Sequence, residues 1–505
     1  MGKSAAAMFV LVFLIATCIA VTPAFSSADL VENSWASKAS MRQARSDLGV
    51  AAVNGKLYAI GGSTRKGGPE EYTGGYVGTN EEYGPATDIW TLKASMPTPR
   101  SNFHLEVVHN KIYCIGGETE SGTNTQANEV YDPSTDTWET KTPLPTPRVS
   151  FATVVFNNRI YVIGGLVRQA NPKAYTGVTE VYDPVSDKWE KKAAMPNASF
   201  PETCVVINGK IYVISFRGKI FQAGSPHRII DPVSYTAVYA EATDSWTSKA
   251  PMPVVQYGAG VVFDDKIYFI GGSSLLQIYD PATDTWGEGA NPPSCRVDSE
   301  SIFATTGEMA PTRIYIVEDN LHIYDPEKNE WTLGPSNPTN RYSMGLAFLN
   351  DKIYAIGGIT TIHSTDLFSH EYYIITKYAT NEVYTPVGYG TVPPIVDVAS
   401  PVNQTYNVSS VSVDFTMNKS AAWMGYSLDG RDNVTVNGNT TLDGLSNGLH
   451  NITVYARDYL DNTDASETVS FIVEAPFPTT LAIATVVSLS IIGIGLLVYF
   501  KKRKH

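Results

Sequence analysis

Five arginines stand at matching places in a chain with few other groups suited to chemistry. Arg45, Arg100, Arg148 and Arg341 lie in "MRQARSD", "PTPRSNF", "PTPRVSF" and "PTNRYS", each 16 residues before the first glycine of a Gly-Gly pair. Arg296, in "PSCRVDS", takes the corresponding place with an insertion after it. A guanidinium offers a planar fork to a carboxylate or sulfate, so one reading is an anion-preferring rim. The other is structural, with each arginine bridging neighbouring repeats. The glycine pairs raise phosphate binding, which needs a Gly-rich turn opening a helix, with a lysine and a hydroxyl residue. Here the pairs at Gly61, Gly116, Gly164, Gly271 and Gly357 each end an apolar run, which makes them punctuation where strands crowd the backbone. His104, His227, His363 and His370 lack metal-ligand spacing. Cys114, Cys204 and Cys295 supply neither a zinc spacing nor a disulfide framework. Asp458, Asp461, Asn462 and Asp464 in "DYLDNTD" could hold calcium through oxygen ligands or form a polar hairpin turn. No nucleophile elbow or paired-carboxylate signature stands out. The cofactor expected is none.

The arginine register exists because the surrounding elements repeat. Trp35, Trp90, Trp138, Trp189, Trp246, Trp286 and Trp331 recur at intervals of 40 to 57 residues, a spacing of propeller blades or solenoids. Between them run "ATVVF", the turn "NNR", "RIYVIGG" and "TEVYDP", with close variants in the other units. Each is a short β-branched and aromatic run bounded by turn residues, hence a strand. Asn-Gly and its relatives make the neighbours antiparallel hairpins. Four strands per unit around an axis make a β-propeller.

These units resemble kelch repeats over about Ser34 to Pro386, with the double glycine, the downstream Tyr and the Trp in order. The resemblance implies an all-β fold whose first part, residues 34–386, is a kelch-like β-propeller. Trp35 opens a fourth-type strand with no first three, and Asn340 to Pro386 supplies three strands without a fourth. Together they predict seven blades closed by the N-terminal strand, leaving no sheet edge. Turns after strands one and three are expected to be uniformly short. Long insertions fall after strand two of blades one, four and seven, on the face where binding usually sits. In kelch domains that bind acidic peptides, arginines at similar loop positions take part in recognition. Kelch-like propellers also include copper-radical oxidases and sugar-acid mutarotases; the first needs a histidine and cysteine-linked tyrosine set that these residues do not provide.

The ends place the propeller. Residues 1–28 read as a signal peptide, with Lys3 before an apolar run and small residues at Ser26 to Ala28; an uncleaved anchor is the alternative. Residues 479–500 are uncharged and long enough for a transmembrane helix, and the basic tail 501–505 stays on the cytoplasmic side. A net charge of -13 argues against nucleic acid. After a linker at 387–394, residues 395–475 alternate as a β-sandwich similar to immunoglobulin- or fibronectin-like modules of archaeal surface proteins. Seven sequons, at Asn197, Asn403, Asn407, Asn418, Asn433, Asn439 and Asn451, fit export. The sequence thus predicts a single-pass, membrane-anchored surface protein, N-terminal ectodomain outside. It would bind an extracellular protein or glycan, an anionic one included; the rival is a tethered carbohydrate enzyme such as a mutarotase.

Overall fold

The computed structural model describes residues 31–475 apart from 68–71, 122–123, 168–173, 221–228, 273, 294–301, 319 and 366–370. The expected signal peptide, transmembrane helix and basic tail lie outside the described residues, as does Arg296. Among the described residues no helix is long and apolar enough to cross a membrane.

Seven four-stranded antiparallel sheets repeat one pattern. In one of them His104–Val108, Lys111–Ile115, Asn128–Asp132 and Thr137–Thr140 follow in chain order. Blades are numbered by their first strands: blade 1 starts at Gly49, blade 2 at His104, blade 3 at Ala152, blade 4 at Phe200, blade 5 at Gly258, blade 6 at Ile302 and blade 7 at Gly345. Blade 7 takes Ser34–Lys38 from the start of the chain as its outer strand, with Trp35 opposite Tyr384. Strands one and two usually meet through two residues of positive φ, such as Asn157-Asn158 (50° and 58°) and Asn208-Gly209 (48° and 69°). Asn, Asp and Gly tolerate that conformation, and its twist matches the flanking strands.

One expectation needs correcting. The turns after strand one are not uniformly short, because blade 6 carries residues 305–313 between Ile302–Ala304 and Ile314–Val317. This loop is held by the Asp351 carboxylate, which accepts the N–H groups of Thr306, Met309 and Ala310. It also receives the linker, whose Gly390 N–H donates to Met309 O.

Packing between blades is also repeated. Second strands are buried along their length, as in "IYVI" of Ile160 to Ile163, while first strands keep partial water contact. Apolar clusters join each blade to the next, for instance Met96, Phe103 and Ile112 between blades 1 and 2. Each repeat tryptophan donates its indole N–H to the preceding blade: Trp138 to Ala94 O at 2.7 Å, Trp331 to Ala290 O at 2.6 Å, and Trp35 to Pro335 O at 3.0 Å. The tryptophan packs on the repeat tyrosine, as Trp138 does on Tyr131 with centroids 5.2 Å apart, a contact worth about 0.5–1.5 kcal/mol beyond area burial. An aspartate that recurs from blade to blade completes the joint. Asp244 accepts the Ala193 N–H at 2.9 Å and the Tyr239 hydroxyl at 2.8 Å, and Asp284 does the same with Ala250 and Tyr279.

The Ala193 N–H, then the Tyr239 hydroxyl, hold the Asp244 carboxyl below the usual range; the Ala250 N–H does so first for Asp284. A carboxyl depressed in the folded state adds stability that is present above its unfolded value and lost as pH falls through the folded one. The melting temperature is therefore expected to fall as pH drops below about 4. Asp244→Asn should flatten that acid limb in a pH series of thermal melts.

The second unit is two sheets on one core. Val396–Ser400, Val411–Met417 and Thr440–Leu442 form the smaller sheet, while Trp423–Leu428, Gly448–Arg457 and Val469–Val473 build the larger. Gly448–Arg457 buries alternate residues, placing Ile452, Val454 and Ala456 against Val413, Phe415 and Phe471, the period expected of a half-buried strand.

Candidate functional site

The loop-rich face carries inserted structure rather than bare loops. Ile359–Thr365 and Glu371–Lys377 of blade 7 form a hairpin, and Lys66–Gly67 and Tyr72–Thr73 of blade 1 form another. The two join as a single four-stranded sheet through the pair Ile375 and Gly67. On blade 3, Leu166–Val167 pairs with Ala174–Tyr175. On blade 4 the two middle strands themselves run long, Lys210–Ile220 and Ile229–Ala240. The face therefore has one raised wall on blades 7 and 1, and another on blades 3 and 4. Blade 2, between them, is tied to the first wall by Arg65, which meets Glu120 at 2.6 Å and lies over the Tyr76 ring at 4.6 Å. Ile362 and Ile374 oppose each other on the first wall and are both exposed.

The arginines are not on this rim. Arg45, Arg100 and Arg148 are completely buried and Arg341 nearly so. Each meets a glutamate on the third strand of the following blade: Glu81, Glu129, Glu180 and Glu382. Each also donates through Nη2 to a second-strand carbonyl, Ala59, Cys114, Val162 or Ala355, at 2.9–3.0 Å. Three of them further donate through Nη1 to a loop carbonyl, Thr98, Thr146 or Thr339. Burial pulls Arg45 down to about 10 even with Glu81 beside it. An external anion would have to displace a glutamate from a sealed site, so the anion-rim reading gives way to the structural one for these four. The fork that could clasp a ligand braces the blade instead. Arg296 lies outside the described residues.

The Gly116-Gly117 pair belongs to the same brace. Both residues have positive φ (68° and 97°), and a Cβ on Gly117 would sit 2.7 Å from Ser101 O. Only glycine lets the chain beyond Arg100 pass that close.

Other sequence candidates also find their places. Asp458 is buried, with Oδ2 2.8 Å from Lys419 Nζ and 3.0 Å from Asn462 Nδ2, and Oδ1 accepting the N–H groups of Leu460 and Asn462. Lys419 and Asn462 thus take the Asp458 oxygens that the calcium reading would use. Asn403, Asn407, Asn433 and Asn439 are exposed, while Asn197, Asn418 and Asn451 are half-buried. Burial pushes the His104 imidazole down to about 4 and the Cys114 thiol up to about 12, leaving both neutral. His227 and His370 lie outside the described residues, and of His363 only the strand position is described. Among the described residues no three His, Cys, Asp or Glu side chains converge as metal ligands.

Two described groups escaped the sequence reading. Glu202, on the first strand of blade 4, and Tyr257, just before the first strand of blade 5, sit together at the inner end of the loop-rich face. Neither falls in a motif; the available signal was the carboxylate in "FPETCVV", and it is not peculiar to blade 4, since the first strand of blade 2, "HLEVV", carries Glu106. On the opposite face a cleft of about 370 Å³ lies between blades 4 and 5, lined by Tyr212, Asp264, Lys266 and Asp280. Its Lys266 and Asp280 pair with each other at 3.3 Å, and its walls are turns rather than inserted structure.

Comparison with known proteins fits this geometry. Residues 47–272 match the KLHDC2/KLHL20/DRC7 Kelch-repeats domain. Over that span the repeats are similar to kelch repeats, the repeats of a β-propeller. Human kelch-like protein 15 is 28% identical over 281 residues, 53% of this chain and 38% of that protein. Rat kelch-like protein 36 is 26% identical over 335 residues, 61% of this chain and 43% of that protein. The chain thus spans less than half the length of these curated relatives. A solved fungal alcohol oxidase of the AA5 family, in complex with copper, superposes with a TM-score of 0.52 at 14% identity, covering 87% of this chain and 99% of that one. At that identity the likeness concerns architecture alone.

Proposed function

We propose that the seven sheets close as a seven-bladed ring latched by the N-terminal strand, and that the ring is a binding module. Its partner is an extracellular protein or glycan held on the loop-rich face. The observation that carries this reading is the joining of the blade 7 and blade 1 insertions into one sheet beside exposed Ile362 and Ile374. Inserted structure on one face of a rigid scaffold is where recognition concentrates, and kelch propellers are in general protein-binding scaffolds. Export, a membrane anchor at 479–500 and an immunoglobulin- or fibronectin-like stalk complete the proposal. The exposed sequons at Asn403, Asn407 and Asn433 on that stalk support it. The partner need not be anionic, because the four described arginines are spent on glutamates. The mutarotase alternative loses its main ingredient for the same reason: its Arg-with-carboxylate pairs exist but are closed to solvent.

The test is a peptide and glycan array probed with the full-length chain and with a variant in which residues 360–376 are replaced by Gly-Gly. The variant is expected to lose binding at least about tenfold, the scale of one good interface contact. Binding that survives the replacement would place recognition elsewhere on the molecule.

A further inference from the structure

The first strand of blade 4, Phe200–Ile207, is eight residues long where the corresponding strands of blades 1, 2, 3 and 7 have five. Its pairing with the second strand slips between Pro201 and Thr203, so Glu202 has no partner in the ladder. None of the pairings between first and second strands in the other blades has such a bulge. A bulge beside a functional site commonly re-aims a side chain. Here it delivers a carboxylate to the inner end of the loop-rich face.

The surroundings of Glu202 are aromatic. Phe200 and Phe216 have centroids 5.6 Å apart, and Tyr257 stands edge-on to Phe216 at 4.6 Å. Glu202 and the Tyr257 hydroxyl lie close enough to feel each other's charge. Tyr257 is 36% exposed and Phe200 and Glu202 are half-buried, while Phe216 is buried, so the group opens to solvent on the Tyr257 side. The Glu202 carboxylate accepts the Gly258 N–H at 2.9 Å. Among the described residues no cation pairs with it. Arg217 is exposed and acts on Tyr175 rather than on Glu202.

We propose that Glu202, Phe200, Phe216 and Tyr257 form a site for an organic ammonium group. Aromatic faces attract a cation through the ring quadrupole, and the Glu202 carboxylate, which pairs with no cation among the described residues, supplies the counter-charge. The net charge of -13 draws cations toward the molecule. Burial alone pushes Glu202 up to about 7, against the pull of the Gly258 N–H. A bound cation favours the ionised form, so binding below pH 7 expels a proton and affinity rises from pH 6 to pH 8. The site sits at the inner ends of blades 4 and 5 and does not depend on what the outer loops capture.

The experiment is isothermal titration calorimetry of the full-length chain with tetramethylammonium chloride and, separately, with N-acetyl-lysine methylamide, sodium chloride holding ionic strength constant. Saturable binding of either probe is expected, with proton release at pH 6 read from buffers of different ionisation enthalpy. Glu202→Gln, which still accepts from Gly258, and Tyr257→Leu should each weaken binding about tenfold or more without moving the melting temperature. Glu202→Gln should also abolish the proton release. Preference for the lysine probe would identify the source as a side chain of a bound protein, and preference for tetramethylammonium would identify a free quaternary amine. Absence of saturable binding by both probes, or a Glu202→Gln variant that binds like the parent, would overturn the proposal. Loss of array binding on replacing residues 360–376 leaves this titration unchanged, so the two readings fail separately.

Discussion

Arg100→Met is expected to lower the stability of the propeller by about 3–5 kcal/mol, the usual cost of stranding one member of a buried ion pair. Glu129 is almost entirely buried and would lose the guanidinium that neutralises it, while Cys114 O and Thr98 O would lose their donors. The molecule contains its own control. In blade 5 the arginine position is Val255 and the glutamate position is Gln277, whose amide exchanges hydrogen bonds with the Val254 backbone at 2.9 and 2.8 Å. The double variant Arg100→Val with Glu129→Gln imitates that neutral arrangement, and most of the loss should return. Tryptophan fluorescence during urea unfolding of the parent, of Arg100→Met, of Arg100→Val and Glu129→Gln singly, and of the double variant gives the comparison. A single variant as stable as the parent would mean that the pair does not brace the blade. If Arg100→Met instead abolished ligand capture with unchanged stability, the rim reading of the arginines would be restored.

The strands and their order were legible because each repeats one local grammar several times. "RIYVIGG" and "TEVYDP" announce strand, glycine turn, strand and tight turn from residue type alone, and the structure puts Arg159–Ile163 and Thr179–Asp183 there. The arginine register was also legible, but its meaning was not. The missing signal lay inside a motif already in view. Glutamate follows the first residue of the third strand in "NEVYDP" and "TEVYDP", and it is absent from "TAVYA" and "LQIYD", where the arginine is replaced by Ser199 and Val255. Buried charges travel in pairs, because a lone one costs too much, so the matched loss of both members in blades 4 and 5 pointed to a brace, although blade 6 has His322 in the glutamate place and Arg296 in the arginine register. Burial itself could not be read from spacing: a loop arginine points outward or inward depending on how closely the next blade packs. The bulge at Glu202 was hidden for a different reason. Slippage by one residue depends on pairing across strands, which a linear pattern does not record. The joining of the blade 1 and blade 7 insertions is likewise a contact between segments about 300 residues apart, invisible to any local rule.

Asp351→Ala is the second substitution expected to have a large effect, and its consequences reach beyond one blade. In sequence Asp351 is simply half of the "ND" turn between the first two strands of blade 7, equivalent to Asn158 in blade 3. In the fold it is 2% exposed and its two oxygens take four donors: the Thr306 N–H at 2.8 Å, the Thr306 hydroxyl at 2.8 Å, the Met309 N–H at 2.7 Å and the Ala310 N–H at 3.0 Å. Removing the carboxylate strands three backbone N–H groups in the 305–313 loop, where leaving each buried donor unmet costs about 1–3 kcal/mol. Some of these donors can reach water once the loop loosens, so a net loss of about 3 kcal/mol is expected. Asp351→Asn has one acceptor oxygen in place of two and should recover less than half of it. The loosening should also reach the junction with the second unit. Met309 O accepts the Gly390 N–H, Gly390 O accepts from Asn462 Nδ2 at 2.7 Å, and Asn462 is in turn fixed by Asp458. Hydrogen exchange should therefore rise in three stretches together, at 305–313, 388–392 and 458–462, while the second strands of blades 1 to 3 stay protected. Exchange confined to 305–313 would show that the linker is held by other contacts, such as the Lys352 ammonium over the Tyr389 ring at 4.6 Å. A coupled rise would show that one turn aspartate fixes both the loop and the seat of the linker.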